Sequence, residues 1–309
     1  LVALALFGCS KQTPLITSAT EPFAAVSVAI QSLDHFTVVP VSVVNWGDVD
    51  NPVAARMIID TGIGVTVLSR ALCERLKCVM AGEHTGRRMS GQSVTVPLTR
   101  VSALTIGGRR VEDMQVGVVD AEGLLAPGID GIVSLGFFAQ IPFTLDYRAQ
   151  TLVLEDANSL VGRQAAGTAV AVHVERDGPS TSLFARMALP RGASAQVEID
   201  TGSNSLILDE RYMRLLGVDP ADRAVEVVRG QDETSHGYLR HFASITGTIH
   251  FVDAPALQQD HPRVMFQKII HDGLVGRAFL DHFTVTFDLP RSRIILAPLA
   301  AVAPPPTRL

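Results

Sequence analysis

Short runs rich in Val, Ile, Thr and Phe, bounded by Gly, Pro, Asp and Asn, recur along most of the chain, the pattern of β-strands separated by turns. Phe36–Val44 and Arg56–Ile59 read as early strands, and Ala169–Glu175, Leu183–Leu189 and Gln196–Ile199 as later ones. The turn residues predict two hairpins. One runs from Phe143–Asp146 through Tyr147–Ala149 into Thr151–Glu155, the other from Phe283–Asp288 through Pro290 into Arg293–Ala297. Helix signals are confined to two places: Ser69 caps Arg70–Leu76, and Asp209 caps Glu210–Leu216 with Gly217 beyond its end. The expected class is all-β, with one or two short helices per lobe.

The landmarks occur twice. RMIIDTGIGVTVLS around Asp60 aligns with VEIDTGSNSLILDE around Asp200 at an offset of 140 residues. SGQ at Gly91 aligns with RGQ at Gly230, PGIDGIVSLGFF at Asp130 with IHDGLVGRAFL at Asp272, and PFTLDYRAQTLVLE at Asp146 with FTVTFDLPRSRIILA at Asp288. Four landmarks at nearly one spacing indicate an internal duplication, and 309 residues suit two domains of roughly 150. The expected division is an N-terminal lobe over 35–155, a polar linker over 156–168 and a C-terminal lobe over 169–298. Residues 10–34 read as a tether and 299–309 as a Pro-rich tail.

Hydrophobic residues make up 47% of the chain and charged residues 18%, which excludes a mostly disordered protein. A net charge of −5 without a Lys/Arg block offers no footprint for nucleic acid or an anionic membrane surface. The opening LVALALFGCS reads as the remnant of a secretory signal over 1–9, and Leu6-Phe7-Gly8-Cys9 resembles a bacterial lipobox that would make Cys9 a lipid-bearing residue. The expectation is export to a bacterial periplasm, with membrane contact only through Cys9. Cys73 and Cys78 are too far apart on a continuous helix to bridge. They pair only if the helix ends between them, and otherwise remain two thiols. No metal-ligand spacing is present, so neither metal nor cofactor is expected.

Each repeat drives a buried apolar strand into Asp-Thr-Gly, which would hold the Asp rigidly while Gly62 or Gly202 lets the chain turn beneath it. Two lobes about a pseudo-twofold axis would bring Asp60 and Asp200 side by side. Close carboxyls cannot both ionise cheaply and share one proton over an acidic range; the aspartic proteases are the standard example. One can then act as base on a water while its protonated partner hydrogen-bonds a scissile carbonyl. Asp130, Asp272, Asp146 and Asp288 read as structural turn carboxylates. Arg277 reads either as a brace for the second Asp loop or as a surface residue.

With these motifs the chain resembles the aspartic proteases of the retropepsin and pepsin type, in a single-chain form. DTGIGVTVL is similar to the retroviral active-site segment and DGLVGRAFL to the later hydrophobic-hydrophobic-Gly motif. The resemblance implies a bilobal acid-protease fold of two β-barrel-like lobes, with Asp60 and Asp200 catalytic. It implies interlocking hydroxyls from Thr61 and Thr201, tight turns at Gly62 and Gly202, and a Ser203 hydroxyl beside Asp200. It also places substrate-covering flaps around Ser90, Gly91 and Gln92 and around Gly230 and Gln231. Ile63 stands where relatives carry Ser, Thr or Ala and offers Asp60 no hydroxyl like that of Ser203, so the dyad is expected to be asymmetric; Ser134 stands where they carry Gly, a departure in the loop near Asp60. The implied activity is a monomeric endopeptidase acting on a peptide or protein substrate. The alternative is an inactive, peptide-binding module of the cell envelope.

Overall fold

The apolar runs of the first repeat close on themselves. In the computed structural model, which describes residues 24–120, 125–231 and 237–299, six strands pair in a ring: Phe36–Val44, Val53–Ile59, Gly131–Val133, Val67–Ser69, Arg109–Val119 and Ser93–Ile106. Pairing of Val43 with Leu104 joins the last strand to the first. Closure leaves no free edge among these strands. Val39, Met57, Ile59 and Val133 fill the interior and are fully buried.

The second repeat follows the same order through Ser180–Ala188, Ser194–Ile199, Gly273–Val275, Leu206–Asp209, Arg263–Gln267 and Gly237–Ser244. It closes differently. The long hairpin Ser93–Ile106/Arg109–Val119 has two shorter pairs as its counterpart, and Thr248–Phe251 reaches back to Ser180–Ala188 through Met187 and Phe251. The break falls where Gly247 takes φ 111° and His261 φ 46°, the left-handed region where glycine is unstrained.

A six-stranded sheet joins the two rings, in the order Val26–Ala29, Thr151–Leu154, Phe143–Asp146, Phe283–Asp288, Arg293–Pro298 and Thr168–Asp177. Its halves share one register: Val26 faces Leu154 as Thr168 faces Leu296, both shifted by 142 residues. At its centre Phe143 stacks on Phe287 at 4.6 Å, both fully buried. Burial of each ring is worth roughly 1.5–3 kcal/mol, so this sheet binds the lobes rather than merely connecting them.

Several expectations are corrected. The supposed tether contributes strands Val26–Ala29 and Gln31–Leu33, with Val28 buried. They were obscured because an edge strand shows only a weak apolar face. The supposed linker is mostly a helix, Ala157–Ala166, begun by a capping box in which Asp156 and Ser159 bond reciprocally and Leu160 is buried. The second predicted helix begins only at Tyr212, because the Asp209 carboxylate is taken by the amides of Arg211 and Ile269. A further short helix, Arg277–Leu280, had no cap signal. The first predicted helix ends at Arg75 and Cys73 bonds Cys78, Cα to Cα 5.2 Å. Cys9 lies outside the described residues.

Candidate active site

Asp60 and Asp200 each stand at the end of a strand whose last apolar residues, Ile59 and Ile199, are fully buried. Each amide donates to a carbonyl of the neighbouring strand, Asp60 to Val133 and Asp200 to Val275, both at 3.0 Å. Each carboxylate accepts from the amides two and three residues on: Gly62 and Ile63 for Asp60, Gly202 and Ser203 for Asp200, at 2.8 and 3.2 Å in both lobes. The two carboxyl groups hydrogen-bond each other across the pseudo-twofold axis.

The threonines lock this arrangement from below. The Thr61 amide donates to the Thr201 hydroxyl at 3.1 Å and the Thr201 amide to the Thr61 hydroxyl at 3.0 Å. Each hydroxyl then donates across the axis, Thr61 to the Ile199 carbonyl at 2.6 Å and Thr201 to the Ile59 carbonyl at 3.3 Å. Both threonines are essentially inaccessible to water, so each lost partner leaves a buried polar group unsatisfied.

The glycines act differently from the expectation. Neither Gly62 nor Gly202 has a positive φ, so a tight turn is not what selects them. A Cβ on Gly62 would lie 2.4 Å from the Asp200 carboxyl carbon, and one on Gly202 at the same distance from that of Asp60. Glycine is required because the opposite lobe's carboxyl occupies the side-chain position. Ser203 also departs from its expected role: its hydroxyl accepts from the Ser205 amide at 3.3 Å, and what it gives Asp200 is its backbone amide.

Removal from water raises both carboxyls above their ordinary range, and the Asp60 charge and hydrogen bond raise Asp200 further. Hydrogen bonds from Asp200 and the loop amides partly offset the effect on Asp60. The two carboxyls therefore titrate as one unit, with a single proton shared between them. That pairing supplies a base and an acid in contact.

The first flap is the hairpin of Met80–Arg87 and Ser93–Ile106, whose tip holds Ser90, Gly91 and Gln92. Gly91 takes φ 87° and donates to the Arg88 carbonyl, while the Ile270 amide of the other lobe donates to Met89 O at 3.0 Å. The Ser90 hydroxyl at this tip is buried without a protein partner. The second hairpin pairs Gly230 with Tyr238 and Gln231 with Gly237; its tip, 232–236, lies outside the described residues.

Arg277 is a brace, and across the lobes. It is 7% exposed, pairs with Asp281, reaches the His35 carbonyl at 2.6 Å and lies 3.8 Å over the Tyr147 ring. His35 in turn donates through Nε2 to the Gly202 carbonyl at 3.1 Å. Asp130 and Asp272 are structural by position, accepting from the amides of Arg56 and Gln196 at 2.9 Å. Missing from the sequence reading is Glu198, buried two residues before Asp200. The available signal was an acid in VEIDTG where the first repeat has Ile58.

Residues 23–137 match the family model described as aspartyl protease. No curated protein sequence matches the chain. Among solved structures, conglutin gamma, a unique basic 7S globulin from lupine seeds, is similar at 10% identity and TM-score 0.52, covering 89% of this chain and 95% of that one. Basic 7S globulin from soybean is similar at 11% identity and TM-score 0.55, with coverages of 89% and 97%. At such identities the likeness concerns fold alone, and the fold is the bilobal, all-β, acid-protease type. In sequence the first lobe is similar to aspartyl proteases, and in fold nearly the whole chain is similar to these two globulins.

Proposed function

We propose that the protein is an aspartic endopeptidase whose site is assembled within one chain, each lobe giving one carboxyl. One observation carries this reading: reciprocal Thr61 and Thr201 bonds hold Asp60 and Asp200 in mutual hydrogen-bond contact. The ionised carboxyl of the pair takes a proton from a water seated between the two. The resulting oxygen nucleophile adds to the scissile carbonyl carbon while the proton on the partner carboxyl hydrogen-bonds the carbonyl oxygen. The tetrahedral adduct then collapses as a proton passes to the departing nitrogen, and no covalent enzyme intermediate forms. The substrate is a peptide or protein segment admitted when the first flap lifts from Ile270. We further propose that the protein works as a monomer, exported and held at the membrane through Cys9.

Fold alone does not assign the activity, since two of the structures it matches are named as globulins. The reading therefore rests on the dyad. The experiment is cleavage of a mixed peptide library from pH 3 to 7 by the purified protein beside its Asp200→Asn variant. Cuts lost in the variant are the expected result. A folded wild-type protein that cuts nothing at any pH would favour the peptide-binding alternative.

A further inference from the structure

Val197 and Ile199 point into the second ring, so Glu198 between them points the other way. Cross-strand register extends its face into a row of Phe184, Glu198, Leu274, Ile207, Met265 and Phe242. The row lies beneath both flaps: Met89 of the first and Phe242 of the second pack on Ile207, Met265, Ile269 and Leu274. The first-lobe counterpart around Ile58 is apolar throughout, with Val38 and Ile132 opposite it.

Glu198 is the only charge in its row and is 7% exposed. Outside the dyad, the other buried Asp, Glu and Arg side chains of the described residues have counter-charges: Glu155 with Arg163, Asp209 with Arg211, Arg277 with Asp281, and Asp288 with Arg291 and Arg293. Glu198 has the Ser182 hydroxyl, and the charged groups that face it, Asp60, Asp200 and Glu175, are all acids. His271, packed at 5.1 Å on Phe184, is disfavoured as a cation by its burial. A buried carboxyl is normally paired. Glu198 has no such counter-charge, and no group of three acids, His or Cys among the described residues is placed to hold a metal ion.

We propose that Glu198 determines specificity at the substrate position facing the second lobe, selecting a Lys or Arg side chain next to the scissile bond. The position facing the first lobe, floored by Ile58, takes an apolar side chain. The inference rests on the peptidase reading above. The aliphatic stem of Lys or Arg lies along Phe184 and Leu274 while its charged head meets the carboxyl. Burial and the neighbouring acids push Glu198 up to about 7, so the pocket ionises close to neutrality and selection for a cation strengthens as pH rises toward that value.

The test presents the full-length protein and its Glu198→Gln variant with a peptide library randomised on both sides of the cut, between pH 5 and 8, with cut sites read by mass spectrometry. Lys and Arg are enriched at one position beside the cut in the wild type, increasingly toward pH 8. In the variant the ratio of Lys/Arg cuts to Leu cuts at that position falls about tenfold or more. An equal ratio in both proteins overturns the proposal and leaves the peptidase reading standing. If the folded wild type cuts nothing, the peptidase reading fails, and the same library is selected by affinity on both immobilised proteins. Retention of Lys/Arg peptides that depends on Glu198 then supports the pocket, and equal retention overturns it.

Discussion

In the first lobe the loop beside Asp60 carries a hydroxyl pair, Thr66 and Ser134, bonded at 3.1 Å. In the second, the same place is closed by Gly276, where a Cβ would fall 2.4 Å from the Ser203 carbonyl oxygen. The cleft floors differ as sharply, Ile58 on one side and Glu198 on the other. Yet the contacts that hold each carboxyl are matched amide for amide and hydroxyl for hydroxyl. The two lobes are symmetric where a carboxyl must be held and differ where a pocket or loop surrounds it.

The largest effects should come from breaking the symmetric part. Gly62→Ala and Gly202→Ala each force a methyl against the opposite carboxyl, and displacement of that order costs about 10²-fold in rate. Measured kcat values should fall by similar amounts in the two variants. The asymmetric loops should respond unequally. Gly276→Ala meets backbone carbonyls that cannot swing away and should cost roughly 1–3 kcal/mol in urea unfolding. Ser134→Gly loses only hydroxyl bonds to Thr66 and Gly136 and should cost about 1 kcal/mol. Between the threonines, Thr61→Val should destabilise more than Thr201→Val, because the Thr61 hydroxyl makes the shorter cross-axis bond. A difference on the order of 0.5 kcal/mol is expected, since a typical net hydrogen bond contributes only about 1 kcal/mol.

The gentlest effect is one of slope. Glu198 holds its proton more tightly folded than unfolded, with a folded value of about 7 against an ordinary 4.5. Its neutral form favours the fold fully below about pH 4.5, and that contribution is lost as pH rises toward about 7, at no more than roughly 1.4 kcal/mol per pH unit. Asp60 and Asp200 act in the same direction in both proteins. Glu198→Gln should therefore lose stability less steeply than the wild type across this window, and equal slopes would refute the assignment.

The dyad was legible because Asp-Thr-Gly occurs twice at the end of an apolar run, a local pattern that needs no tertiary knowledge. Residues whose reasons lie in the opposite lobe were not legible. Gly62 looked like a turn residue because the carboxyl that excludes its side chain, that of Asp200, is 138 positions away. Arg277 stayed undecided because its carbonyl partner, His35, lies 242 positions away. Helix Ala157–Ala166 was hidden by a polar composition with Gly162 inside, and a capping box and one buried leucine sustain it. Glu198 was visible as a letter, but only the strand register shows it turned away from the ring interior, in a row with Phe184 and Leu274.

The central claim is that the two carboxyls act as one unit, and single substitutions on a shared substrate test it most directly. With folding verified by unfolding midpoint, kcat/KM of Asp60→Asn and of Asp200→Asn should each fall about 10²–10⁴-fold, the range for loss of a positioned acid or base. The double variant should fall little further, as expected of groups that work together. A wild-type rate retained by either single variant would contradict the account.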